Sequence, residues 1–203
     1  MKFIGITGGV GAGKSAILDY LDKKEGVKVI LADQVAHLLM EPGKECYNRI
    51  VECFKEDDLL DDNACFDRFK LANVIFSDER KRDTLNGIVH PAVKEYIKDI
   101  YALEKKKGKL KLLVLEAALL IEEDYDEICD ELWYIYTSRE NRRNRLKSSR
   151  GYSDEKVDNI FNSQLSENEY RNACKEVIDN NGSLEETYNQ IESALSRSLK
   201  NKE

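Results

Sequence analysis

Short, nearly continuous apolar runs alternate along the chain with longer stretches in which apolar residues recur every three or four positions. Lys2 to Thr7, Val27 to Leu31, Leu112 to Leu115 and Leu132 to Tyr136 are runs of the first kind, with the length and content of strands buried on both faces. A shorter fifth run spans Glu176 to Ile178. After the first run, Ile17, Leu18 and Leu21 fall at i, i+1 and i+4, the inner stripe of a helix, and Gly26 supplies its stop signal. Parallel neighbours need a crossover connection, so strands separated by helices predict a mostly parallel sheet covered on both faces. The fold class is α/β.

Between the second and third runs the spacing is helical throughout: Val35, Leu38 and Leu39, then Ile50, Val51 and Phe54, then Phe69, Ala72, Ile75 and Phe76. This stretch reads as a helical subdomain inserted into the sheet. Glu104 to Lys111, with Lys105-Lys106-Lys107-Gly108, reads as an exposed exit from a long helix into the third strand.

Composition narrows the class. With 203 residues, 41% hydrophobic and 35% charged, and only 11 Gly and 2 Pro, the chain fits one domain of ordinary size with a real core and excludes disorder as its main state. The apolar run Ala117 to Ile121 is far shorter than the ~20 residues a membrane helix needs. A glycine loop arrives before any signal-peptide pattern forms, so a cytoplasmic protein without a membrane partner is expected. A net charge of −7 repels nucleic acid and leaves any anion site local. The five cysteines contain no C-x-x-C pair and read as reduced thiols that mostly pack the core. His37 and His90 lie too far apart in sequence to suggest a metal cluster.

Five of the 11 glycines stand at positions 5, 8, 9, 11 and 13. Gly8 to Ser15 satisfies G-x-x-x-x-G-K-S between a strand and a helix, the arrangement of a phosphate-binding P-loop. Its N–H groups converge with the positive end of the helix dipole on phosphate oxygens. Lys14 is placed to reach the β and γ phosphates, and the Ser15 hydroxyl to bind Mg²⁺. No N-K-x-D guanine-reading motif follows, which favours ATP over GTP.

Asp33 comes two residues after the second strand, at the end where parallel sheets bind ligands. It can take the proton of an attacking hydroxyl or help hold the metal through water. It can equally cap a helix beginning near Gln34. Glu116, ending the third strand, can assist with the metal or simply face solvent. From Arg139 to Arg150 there are six basic residues and one acidic. Such a run is either a solvated helix face or a mobile segment whose arginines clamp a triphosphate. These residues alone also fit another small-molecule kinase or a non-catalytic ATP-dependent regulator.

Spaced motifs go further. Thr7 to Ser15, Ala32-Asp33, Glu41-Pro42-Gly43, Phe66-Asp67-Arg68 with Leu71 and Phe76, and His90-Pro91 occur in that order, followed by Leu119-Leu120 with Glu122, Arg145, Arg150-Gly151-Tyr152-Ser153, Gln164 and Val177 to Asn180. Together they make the sequence similar to the dephospho-CoA kinase family from Ile4 to about Ile191. The resemblance implies a P-loop NTPase-type parallel sheet with a helical substrate-binding insertion and an arginine-bearing lid. It implies transfer of the γ-phosphate of ATP, with Mg²⁺, to the ribose 3′-hydroxyl of dephospho-CoA. The segments are then a nucleotide core at 1–33, 111–138 and 170–203, a substrate subdomain at 34–110 and a lid at 139–169. Carried over by position, Gly11, Ala12, Gly13, Lys14, Ser15 and Ala16 bind ATP, Ser15 holds the metal, Asp33 is the base, and Arg145 is the lid arginine, with Arg150 a second candidate. The chain departs from the family pattern at Leu31, Ala16, Glu116 and Ala118, and in one extra residue between Arg145 and Arg150.

Overall fold

The computed structural model describes residues 1–200. Five strands, β1 (Lys2–Thr7), β2 (Val27–Leu31), β3 (Leu112–Glu116), β4 (Glu131–Tyr136) and β5 (Glu176–Asp179), form one sheet in the order β2-β3-β1-β4-β5. All five expected strands are present, with ends shifted by a residue at most. β1 lies at the centre. It pairs in parallel with β3 from Lys2↔Leu112 to Ile6↔Glu116, and with β4 from Ile4↔Glu131 to Thr7↔Tyr134. β4 pairs in parallel with β5. Phe3, Ile4, Ile6 and Leu112 to Leu115 are buried, because both faces of a parallel sheet are covered and only apolar side chains satisfy both.

The nine helices of the described residues are α1 (Lys14–Asp22), α2 (Ala32–Leu39), α3 (Glu45–Cys53), α4 (Arg68–Ser77), α5 (Glu79–Lys107), α6 (Arg139–Arg150), α7 (Asp154–Asn162), α8 (Glu167–Ala173) and α9 (Leu184–Lys200). Ile17, Leu18 and Leu21 are the buried side of α1, as their spacing predicts. Gly26 adopts φ 77°, the left-handed turn that lets the chain leave α1 and enter β2.

The chain divides into two compact units, Met1–Ile30 with everything from Glu104 onward, and Leu31–Leu103. In the first, α9 packs on β5 and buries Ile191, Ala194 and Leu195. Here Glu131, 5% exposed, gathers Lys2 Nζ at 2.8 Å and Lys175 Nζ at 2.7 Å, with bonds from Ser198 Oγ and Trp133 Nε1. Burial alone would raise the pKa of this carboxyl. The bonds from Lys175, Lys2, Ser198 and Trp133 outweigh it and hold the value down to about 2.

The second unit is helical, with Ile50, Phe54, Leu59 and Ile97 at its core. Its helix α4 is capped by Asp67, whose side chain accepts from the N–H groups of Phe69 and Lys70. The helical period read from Phe69, Ala72, Ile75 and Phe76 is correct, yet no residue of α4 is buried. Leu71, Ala72 and Ile75 line a cavity instead of the core, and Phe69 and Phe76 are 76% and 85% exposed. Spacing reports which residues share a helix face, not whether that face is filled.

The charged exit from α5 also departs from expectation at one residue. Lys105 to Gly108 are exposed, but Glu104 is 8% exposed and pairs with Lys28 and Lys107 at 2.9 and 3.1 Å. All five cysteines are free thiols; Cys46, Cys129 and Cys174 are buried, Cys53 and Cys65 exposed. Among the described residues, no helix is long and apolar enough to cross a membrane.

Candidate active site

The chain leaves β1 at Thr7 and turns through the glycines before α1 starts at Lys14. The Ala12 N–H closes the turn on the Gly9 carbonyl at 3.0 Å. Gly13 enters the helix at φ 87°, ψ 20°, a left-handed conformation that side chains resist. A Cβ there would also stand 2.4 Å from Asn180 Nδ2, so glycine is required on two grounds. No side chain caps α1, and its first turn carries no acid. Its first N–H groups and the positive end of its dipole are left for an external anion.

Lys14 folds back along this loop. Its Nζ donates to the Gly8 carbonyl at 2.7 Å and lies 3.4 Å from Glu116 Oε1 at the end of β3. Glu116 thus meets the loop lysine rather than facing only solvent. Ser15 is exposed in the first turn of α1, and its hydroxyl makes no hydrogen bond to the described residues.

The loop is held from behind by residues that follow β4 and β5. The Ala12 carbonyl accepts from Asn180 Nδ2 at 2.7 Å, Thr137 Oγ1 at 3.0 Å and Arg145 Nη1 at 3.2 Å. Arg145 Nη2 also donates to the Asn180 carbonyl at 2.7 Å. Thr137 and Asn180 are buried, so their polar atoms need these partners. Arg145 comes from α6, which Ser138 caps by accepting from the Asn141 N–H and which Gly151 ends in a left-handed turn. Leu146 of α6 packs with Val157 and Phe161 of α7 and with Val10 of the loop. Arg142 Nε donates to the Val10 carbonyl at 2.9 Å, and its Nη2 donates to Gln164 Oε1. Arg150 ends the helix in solvent, 6.0 Å from the Tyr152 ring.

Lys14, Ser15 and Arg145 are therefore gathered at one loop, and Arg150 makes no contact with it. Thr137, Asn180, Arg142 and Gln164 belong to the same cluster; sequence marks Gln164 and Asn180 only as motif residues and Arg142 only as part of a basic run, and gives Thr137 no motif of its own. Thr137 and Asn180 each directly follow a strand, a position that flags polar residues in a parallel sheet. Arg142 is masked by the four other arginines of its segment.

Asp33 belongs to the helical unit. α2 begins at Ala32, with Leu31 at its cap position, so Asp33 sits in the first turn and is not the capping residue. Its carboxylate is exposed and lines a cavity of about 580 Å³ with His37, Met40, Arg68, Leu71 and Ile75. A mainly apolar wall with a few charged groups suits a ligand with an apolar arm and a polar end.

Comparison with known proteins follows the same outline. The family model for dephospho-CoA kinase matches residues 2–186. A dephospho-CoA kinase of Shouchella clausii is 35% identical over 194 residues, 96% of this chain and 97% of its own. A solved structure from Thermus thermophilus superposes with a TM-score of 0.78 at 28% identity, covering 97% of each chain. The shikimate kinase of Acinetobacter baumannii shares the fold at a TM-score of 0.56 and 13% identity, covering 100% of this chain and 95% of its own.

Proposed function

The chain belongs to the dephospho-CoA kinase family, ATP-dependent kinases that complete coenzyme A synthesis, and from that premise we propose how its residues divide the reaction. The reaction moves the γ-phosphoryl group of ATP to the ribose 3′-hydroxyl of dephospho-CoA. The phosphate chain lies along Gly11 to Ala16, where the uncapped N–H groups of α1 donate to its oxygens. Ala16 contributes only its N–H, since it carries no hydroxyl. Lys14 turns from the Gly8 carbonyl to the β and γ oxygens and carries positive charge to the bond that breaks.

Mg²⁺ is held by few protein oxygens and by phosphate oxygens and water. The unengaged Ser15 hydroxyl would hold the ion, which would supply neutralisation of charge on the phosphate chain. Asp33 orients the acceptor hydroxyl and takes its proton as the oxygen attacks in line. Arg145 exchanges carbonyl partners for the oxygens of the transferring group, where a fixed cation is worth most in the transition state. Residues 34–110 hold the acceptor and 139–169 serve as the lid.

One observation carries the reading: an uncapped helix N-terminus follows a loop into which an arginine of a distant helix is hydrogen-bonded. The test is ADP release with ATP, Mg²⁺ and, in separate reactions, dephospho-CoA, AMP, adenosine and pantetheine. Turnover is expected with dephospho-CoA and is expected to vanish in Lys14→Ala. Equal turnover with AMP would overturn the acceptor, and an active Lys14→Ala would overturn the role of the loop.

A further inference from the structure

Three arginines of α6 crowd the ring of Phe161: Arg139, Arg142 and Arg143, with guanidinium carbons 5.0, 4.5 and 5.7 Å from its centroid. Their partners differ in kind. Arg143 is paired with Asp154 and Asp158 of α7, as expected of an arginine that joins two helices. Arg139 is exposed and reaches Asn162. Arg142 is the half-buried one, and its partners are all neutral: the Val10 carbonyl, the Gln164 amide oxygen and the aromatic face.

No acid offsets its charge. The titratable groups that act on it are Tyr134, Tyr170 and Arg139. Burial pushes both phenols up to about 12, so they are neutral at physiological pH. Desolvation, the larger influence, disfavours the charged guanidinium and lowers its pKa. A cation withdrawn from water without a counter-ion is costly and is seldom retained for packing alone. Its position supplies the reason. A Cβ on Gly9 would fall 2.2 to 2.5 Å from the guanidinium atoms of Arg142, so the charge rests directly on the phosphate loop.

We propose that Arg142 is a polyphosphate-binding residue, seated on the phosphate loop with its charge uncompensated so that the phosphate chain of the nucleotide becomes its counter-ion. This rests on the loop's assignment to ATP above. Arg142 then makes affinity depend on phosphate charge, favouring ATP and ADP over adenosine, and it adds a second α6 cation three residues before Arg145.

Two substitutions separate charge from geometry. Arg142→Gln keeps an N–H donor for the Val10 carbonyl and removes the charge; Arg142→Lys keeps the charge and loses the planar fork. Binding of ATP, ADP and adenosine to each full-length chain is measured by calorimetry, with the ligand-free melting temperature alongside. Arg142→Gln is expected to weaken ATP and ADP roughly ten-fold or more, to leave adenosine unchanged and to melt no lower than wild type. Arg142→Lys is expected to retain most of the ATP affinity. Wild-type ATP affinity in Arg142→Gln overturns the proposal. So does an ATP loss in Arg142→Lys as large as in Arg142→Gln, or an Arg142→Gln chain that melts lower or fails to fold, since each assigns the guanidinium to the fold. A wild type that binds ATP no better than adenosine overturns both this proposal and the loop assignment. A wild type that prefers ATP to adenosine by a factor that Arg142→Gln leaves undiminished overturns this proposal alone.

Discussion

A single carbonyl, that of Ala12, accepts from Asn180, Thr137 and Arg145, and so ties the ends of two strands and a helix to one point of the loop. Two of these donors are fixed by burial; the third, Arg145, is bound through carbonyl and hydroxyl oxygens alone and is the one free to exchange them for phosphate. Arg145→Ala is expected to lower kcat by ~10³-fold or more while ATP still binds, by analogy with transition-state arginines in other phosphoryl transfers. Steady-state kinetics at saturating ATP checks it; an unchanged kcat would remove Arg145 from the chemistry. Asp33 has no competing duty as a helix cap, so Asp33→Asn keeps shape and removes only the proton acceptor. Its kcat is expected to fall roughly 10²–10⁴-fold with ATP affinity retained. Near-native turnover in that variant would end the base assignment.

Among elements, α1 and α6 show opposite treatments of a helix start. α6 is capped by Ser138, whereas α1 has no side-chain cap, because a cap on α1 would occupy the N–H groups that an anion needs. α6 is anchored at its middle by Leu146, packed with Val10, Val157 and Phe161, while its far end, Lys147 to Arg150, is exposed. Hydrogen exchange across Arg139–Arg150 is expected to slow when ATP binds, since closing a lid excludes water from the transferring group. Exchange that ignores nucleotide throughout this segment would count against a lid. The same element scale explains α4, where Leu71, Ala72 and Ile75 are helical in period but border a cavity: a helix beside a cavity and a helix in a core carry the same pattern.

At the scale of the whole molecule, the sheet gathers the glycine loop and its polar partners at the carboxyl ends of its strands and a buried carboxylate with its lysines at the other. Glu131 begins β4 and ties it to Lys2 of β1, Lys175 beside β5 and Ser198 of α9. Its folded pKa, about 2, lies below the ordinary 4.5. The stabilisation is therefore fully present above about pH 4.5 and is lost as pH falls toward 2. Glu131→Gln is expected to cost about 3 kcal/mol at neutral pH, the penalty of breaking ion pairs made by a buried carboxylate, and to flatten the melting-temperature profile below pH 4.5 relative to wild type. Parallel profiles for the two proteins would contradict the assignment. Thiol labelling offers a second check on the fold. Burial pushes the Cys129 and Cys174 thiols up to about 12, so Cys53 and Cys65 should react with an alkylating reagent first and these two only on unfolding.

The strands, the phosphate loop and the helix behind it are determined by sequence, because burial on both faces, glycine at a left-handed turn and a helix stop are each local demands on local residues. The family too is legible, through motifs spaced along nearly the whole chain. Tertiary structure decides what sequence spacing cannot contain. Glu131 meets Lys2 across 129 positions of chain and becomes a buried ion pair; Asn180 meets Ala12 across 168; Arg142, one arginine among five in its helix, proves to be the half-buried one seated on the loop without an acid. Charge and polarity are written in the sequence, but whether a charge is solvated, paired or left waiting for a ligand depends on which distant groups share its surroundings, and only the folded chain brings those groups together.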